Sequence, residues 1–191
     1  MMEKDFQDDI NRAVDTLKKG GIILYPTDTI WGLGCDARNS KAVKKIYEIK
    51  KRTDSKSLIV LVNNEMAVER LVEDIPETAF QLLEVAIHPL TIIYDKAYNV
   101  APELKSEDGS LGIRITKEKF SSELCRKFGG PIVSTSANIS GEPAPKNFKE
   151  ISEEIREKVN YIVNYRQLDD TISGPSNIIK ISNDNVIKII R

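Results

Sequence analysis

Pro131-Ile132-Val133-Ser134-Thr135-Ser136-Ala137-Asn138-Ile139-Ser140-Gly141 begins as an apolar strand and ends as a row of hydroxyls and an amide. A short apolar run of this kind suits a strand buried in a sheet that helices cover. Ser134, Ser136 and Asn138 alternate, so they point one way together for as long as the strand persists. Such a row of small donors and acceptors suits a nucleotide base, a ribose or a phosphate. The same hydroxyls also suit a loop that caps its own turns, and Gly141, Pro143 and Pro145 speak for a loop. No strong nucleophile stands here and no histidine adjoins it. The stretch is built to hold a polar group rather than to break a bond unaided.

The strand-then-polar-loop pattern recurs upstream. Phe6, Ile10, Ala13, Val14 and Leu17 fall at helical spacing, which predicts a helix over 5–19 that Gly20-Gly21 stops. Residues 22–25 form a buried strand that Pro26 ends. After a Gly-rich loop, Asn39 or Ser40 caps a helix reaching to about residue 50, with Val43, Ile46 and Tyr47 inward. Strands are expected at 58–62, 90–95, 111–115 and 132–134, and a short one at 161–164. Within 111–115 the alternation puts Arg114 on the face of Gly112 rather than with the isoleucines. Further helices are expected at 64–72, 76–87 and 122–128, the last closed by Gly129-Gly130. Phe148, Ile151, Ile155 and Val159 are also spaced for a helix. Residues 176–181 and 186–190 read as a hairpin around Asn183-Asp184-Asn185. Strands and helices interleave without a linker or repeat, so one α/β domain over 1–191 with a mixed sheet is the economical reading.

The 191 residues are enough for a sizeable core, and 40% hydrophobic with 30% charged residues is ordinary for a globular chain. A net charge of −1 excludes a uniformly basic nucleic-acid binder, though not a local basic cleft. No apolar run is long enough to span a membrane, and the mixed charges of residues 1–9 do not form a secretory signal. The two cysteines, Cys35 and Cys125, and the one histidine, His88, are too few for a zinc site or a disulfide framework. A reduced intracellular compartment is the simpler reading. Cys35 reads as a small buried residue rather than a reactive thiol.

Two more polar clusters stand beside strands. Pro26-Thr27-Asp28-Thr29-Ile30-Trp31-Gly32-Leu33-Gly34 follows the first strand, where open α/β sheets bind ligands. Thr27 and Thr29 offer hydroxyls to a ligand, or only satisfy a local turn. Lys50-Lys51-Arg52-Thr53-Asp54-Ser55-Lys56-Ser57 precedes the strand at 58–62. Its cations suit a polyphosphate, and equally suit a solvated helix C-terminus. It is not a P-loop, since no Gly-x-x-x-x-Gly-Lys-[Ser/Thr] occurs. Arg114 is a costly charge on an apolar strand unless it meets an ion-pair partner or an anionic ligand. Thr91 reads as β-branched filler, Trp31 as core with stacking on a ligand as the alternative, and Ser176, in the turn Ser173-Gly174-Pro175-Ser176-Asn177, as able to reach a ligand.

Taken together, these segments resemble one family. YPTDTIWGLGCDA (25–37), IKKR (49–52), SLIVLV (57–62), HPLTIIY (88–94), LGIRI (111–115), PIVSTSANISGEPA (131–144) and SGPSNII (173–179) match, in order, the L-threonylcarbamoyladenylate synthases of the YrdC and Sua5 type. The family's Lys-x-Arg and Ser-x-Asn signatures fall on Lys50/Arg52 and Ser136/Asn138. Asp28 stands where many relatives carry Glu, Thr53 where Pro is frequent, and Leu61 where many long relatives carry His. The chain resembles the short, single-domain form.

The resemblance implies an α/β fold around a twisted mixed, mostly parallel sheet with flanking helices and a positively charged concave cavity. It implies synthesis of L-threonylcarbamoyladenylate from L-threonine, bicarbonate and ATP, with release of pyrophosphate. The product would pass to a threonylcarbamoyl-transferase complex that makes N6-threonylcarbamoyladenosine in tRNA. Lys50 and Arg52 would be catalytic. ATP would meet Lys50, Arg52, Thr91, Ser134, Ser136, Asn138 and Ser176, and threonine would meet Thr27, Thr29 and Arg114. Mg2+ would arrive on the ATP phosphates, without dedicated protein ligands. A cytoplasmic setting follows, with no membrane partner and with direct tRNA or RNA contact left open. The rivals are a non-catalytic RNA-binding module using the basic concavity, and a carbamoyladenylate enzyme of hydrogenase maturation, for which the chain is too short.

Overall fold

The computed structural model describes residues 3–52, 58–169 and 174–191. Helix α1, Glu3–Lys18, buries Phe6, Ile10, Ala13, Val14 and Leu17. Full burial of one such aliphatic side chain contributes roughly 1.5–3 kcal/mol. Gly20, at φ 75°, takes the left-handed turn that ends the helix and leads into the fully buried strand β1, Ile23–Tyr25.

Strand β2 is Gly32–Gly34, in the stretch expected to be a loop. Glycine has low strand propensity, so no local signal marks it. Pairing makes the strand: Tyr25 lies opposite Gly32 on one side, and Ser136 lies opposite Gly32 on the other. A Cβ on Gly32 would sit 3.2 Å from the Thr135 carbonyl oxygen and 3.4 Å from Ser134 Oγ. Close approach therefore requires the glycine.

Helix α2, Ser40–Ile49, is capped by the Asn39 side chain, which accepts from the amides of Lys41 and Ala42. Strand β3 is Ile59–Val62, helix α3 is Glu65–Glu69 and helix α4 is Glu77–Val85. Strands β4, Leu90–Tyr94, and β5, Leu111–Ile115, follow. Helix α5, Lys119–Phe128, starts earlier than expected because Glu118 caps it, and it ends at Gly129 with φ 71°. Strand β6 is Ile132–Ser136. The helix expected from Phe148 to Val159 is broken. A 3-10 turn at Phe148–Glu150 gives way to extended backbone at Ile151, and the Ser152 side chain caps the short α6, Glu153–Glu157. Strand β7 is Tyr161–Ile162, and β8, Asn177–Ile181, and β9, Ile187–Ile189, form the expected hairpin.

The nine strands among the described residues run in the order β7-β1-β2-β6-β3-β5-β4-β8-β9. The mixed sheet is as expected; its mostly parallel character is not. Only β1–β7, β3–β5 and β4–β8 pair parallel, and the remaining neighbours among the described strands are antiparallel. Strand direction is set by which elements pair over long sequence separations, and apolar periodicity carries no record of that.

Helices α1 and α5 pack side by side, with the Phe6 ring edge-on to Phe120 at 5.6 Å and to Tyr165 at 5.1 Å. Cys35 and Cys125 are both buried, and burial raises both thiols, so they behave as small apolar residues. Among the described residues no helix is long and apolar enough to cross a membrane.

Candidate functional site

Sheet register assembles the site. Arg114 lies opposite Leu61 on β3 and Thr91 on β4, while Ile59 lies opposite Ser134. Ser136 ends β6 beside Gly32. These positions open onto a cavity of about 510 Å³, and Thr29, Arg52, Arg114, Ser134, Ser136 and Ser176 of the expected residues line it. The size is that of a small-molecule site. Trp31, Lys146 and Arg191 line it too, and none of its lining residues among those described is an aspartate or glutamate. A cleft whose described lining holds cations and no acid focuses positive potential, although the whole chain carries a net charge of −1.

Arg114 is the most confined of these cations. Its side chain is 4% exposed, and Nη2 lies 2.9 Å from Asp28 Oδ1 in an ion pair. The aligned hydrogen bond from Nη2 goes instead to Thr29 Oγ1 at 3.2 Å. Thr29 and Thr27 share a hydroxyl contact of 3.0 Å, and Thr27 donates to the Ile30 carbonyl at 2.8 Å. The threonines are thus a relay that holds the Arg114 plane. Thr29 reaches the cavity, while Thr27 acts from behind it. Burial pushes the Asp28 carboxyl above its ordinary range, and Arg114 opposes that shift. Burial likewise lowers Arg114, offset chiefly by Asp28. Arg114 Nε has no protein partner among the described residues. A buried, unfilled donor in a cavity wall is what an anionic ligand would satisfy.

Lys50 caps α2 at its C-terminus. Its amine turns inward and donates to the Ser136 carbonyl at 2.6 Å and the Asn138 carbonyl at 2.7 Å. The loop returns a bond, from the Ser140 amide to the Lys50 carbonyl at 2.9 Å. Asn138 spends its own side-chain amide on the carbonyls of Ile139 and Glu142. Lys50 and Asn138 therefore brace the loop and lie outside the cavity lining. Lys51, at φ 50°, turns the chain so that Arg52 reaches the cavity instead. Burial lowers the Lys50 amine from 10.5 to about 8, with repulsion from Arg52 adding to the shift. The Ser136 hydroxyl makes no protein hydrogen bond among the described residues, so it is available to a ligand.

Thr91 is fully buried, and its hydroxyl meets Ser176 Oγ at 2.9 Å. Ser176 faces the cavity and Thr91 positions it from beneath. Trp31 is both core and wall: it is buried, packs on Phe148 at 4.9 Å and borders the cavity. His88 is exposed and lies away from the site. Thr53, Asp54, Ser55, Lys56, Ser57 and Ser173 lie outside the described residues. Arg191 and Lys146 escaped the sequence reading. Arg191 arrives through its pairing with Ile178, and Lys146 follows a Pro-rich loop, so neither belongs to a local motif. No group of three or more His, Cys, Asp or Glu able to hold a metal occurs among the described residues.

Known proteins resemble this chain in sequence and in fold. The Sua5/YciO/YrdC family model, described as telomere recombination, matches residues 15–191. Threonylcarbamoyl-AMP synthase of Coxiella burnetii is 32% identical over 90% of this chain and 88% of its own length. A putative threonylcarbamoyl-AMP synthase of Methanocaldococcus jannaschii is 34% identical over 96% of this chain and 87% of its own. Among solved structures, P. abyssi Sua5 complexed with L-threonine superposes with a TM-score of 0.80 at 28% identity, covering 90% of this chain. The present chain spans 50% of that protein's length. YciO of E. coli, at a TM-score of 0.82 and 24% identity, shares the fold.

Proposed function

The chain belongs to the Sua5/YciO/YrdC family, and from that premise we propose that it makes L-threonylcarbamoyladenylate from L-threonine, bicarbonate and ATP. The observation that carries the reading is a cavity whose described lining holds no acid, where Arg52, Arg114, Lys146 and Arg191 accompany the hydroxyls of Ser134 and Ser136. The threonine amine adds to bicarbonate, giving a carbamate and water. A carbamate oxygen then bonds to the α-phosphorus of ATP, and the bond to pyrophosphate breaks. Both reactants are anions, and the nucleophile is already charged. Holding them in line and neutralising their repulsion supplies most of the rate, with no protein base required.

Arg52 takes the triphosphate, and the buried Lys50 amine adds charge from behind the Ser136 backbone. Ser134 and Ser136 hold the α-phosphate and ribose side, with Asn138 fixing the loop that presents them. Ser176, set by Thr91, borders the nucleotide. Arg114 takes the threonine carboxylate beside Thr29, and Thr27 supports Thr29 from behind. The donor set around the cavity, which among the described residues is hydroxyls and cations without a carboxylate, fits a Mg2+ carried by the ATP phosphates rather than by protein ligands. That ion would supply further charge neutralisation. The product suits a downstream transferase acting on tRNA in the cytoplasm. A concave pocket of about 510 Å³ has room for a nucleotide and an amino acid, which favours this reading over a module that only binds RNA.

Incubation with ATP, Mg2+, bicarbonate and labelled threonine, followed by mass spectrometry, tests the proposal. The mixed anhydride and pyrophosphate should appear in equal amounts and only when all the substrates are present. Pyrophosphate release without threonine, or no anhydride at all, would contradict it.

A further inference from the structure

A second and larger concavity, of about 950 Å³, lies next to the cavity and shares none of its described lining residues. Phe80, Leu83 and Ile87 form one wall, Met66 another, and Leu90 and Ile115 also line it. Helix α4 is apolar on two sides. Ala79, Leu82 and Leu83 serve the core, Phe80 and Leu83 also line the groove, and Ile87 joins them from just past the end of the helix at Val85. Met66 is 62% exposed and Ile87 91% exposed, and apolar groups this open on one rim mark an interaction surface.

Charge around the groove is one-sided. Among its described lining residues, Glu65, Glu77, Glu84 and Asp28 stand against one strong cation, Lys117. Glu65, Glu77 and Glu84 have no ion-pair partner among the described residues. A second copy docked about a two-fold axis would bring these glutamates face to face. An apolar stripe flanked by cations meets both the walls and the rim. Asp28 also holds Arg114 at 2.9 Å, so a cation seated in the groove would compete for the carboxylate that restrains a residue of the catalytic cavity.

We propose that the groove between α3 and α4 docks a basic amphipathic helix of a partner protein, and that docking is felt at Arg114 through Asp28. The second half rests on the proposed activity; the first does not. The probe is a fluorescent Leu/Lys amphipathic peptide of about four helical turns, with a scrambled peptide of the same composition and a Leu/Glu peptide as controls. Anisotropy titrations use the full chain, its Glu77→Lys/Glu84→Lys variant and its Ile87→Asp variant, each shown folded by circular dichroism. The Leu/Lys peptide should bind saturably, the controls should not, and each variant should weaken binding by about tenfold. Absence of saturable binding, equal binding of the scrambled peptide, or unchanged affinity in both variants would overturn the docking. Self-association of the wild type that Ile87→Asp abolishes would assign the groove to a second copy instead. With docking established, saturating peptide should shift the threonine requirement of pyrophosphate release in the wild type and not in the charge-reversed variant. Binding without that shift would overturn the link to Arg114.

Discussion

The Lys50 amine donates to the Ser136 main-chain oxygen at 2.6 Å and so ties the cationic end of α2 to the hydroxyl-bearing end of β6. Lys50 and Arg52 are two residues apart and have different tasks. One holds the wall together, and the other faces what the wall encloses.

Lys50→Ala should therefore damage both fold and activity, because it strips a donor from two part-buried carbonyls, a loss of about 1–3 kcal/mol. Arg52→Ala should lower adenylate formation by about 100-fold or more while lowering the melting temperature less than Lys50→Ala does. Thermal melts paired with pyrophosphate assays check this. Equal melting losses in the two variants would contradict the division of labour.

The Lys50 amine also sets a pH signature. Its folded value is about 8 against 10.5 in the open chain. Below pH 8 both states are charged, and the cost of burying the charge is fully present. Between pH 8 and 10.5 the unfolded chain binds more protons, so this group's contribution to stability rises with pH. Wild type should gain stability relative to Lys50→Met across that window in urea titrations. Its turnover should decline there as the amine loses charge. A flat stability difference would place Lys50 in solvent.

Arg114 and Asp28 separate stability from substrate binding. Arg114→Ala leaves a buried carboxylate alone, a loss of about 3–5 kcal/mol, and should raise the threonine requirement far more than the ATP requirement. Adding Asp28→Asn should recover part of the stability and none of the threonine affinity. Steady-state kinetics on both variants decide it. An unchanged threonine dependence would remove Arg114 from the amino-acid end of the cavity.

Thr91→Val removes the hydroxyl that orients Ser176, a loss of about 1 kcal/mol. A rise of a few-fold in the KM for ATP, with kcat preserved, is expected. A fall in kcat alone would assign Thr91 a different part.

Much of this was legible in the sequence because it is local. The apolar runs at β1, β3 and β6, the Asn39 cap and the Gly129 stop are each written within a few residues. The placement of Arg52 beside Ser136 followed from motif resemblance. What escaped depends on pairing at long separation. Strand β2 exists only because β1 and β6 flank its glycines. The inward turn of Lys50 depends on carbonyls some 86 residues away. Arg191 enters the cavity through its bonds to Ile178. Strand direction, likewise, is a property of the assembled sheet.

The central claim is that one cavity with fixed positive charge holds two anions in line. A crystal structure with threonine and a non-hydrolysable ATP analogue tests it most directly. The triphosphate should lie within hydrogen-bond distance of Arg52 and the Ser136 hydroxyl, with the threonine carboxylate on Arg114. A nucleotide seated in the groove between α3 and α4, with Arg52 and Ser136 untouched, would contradict it.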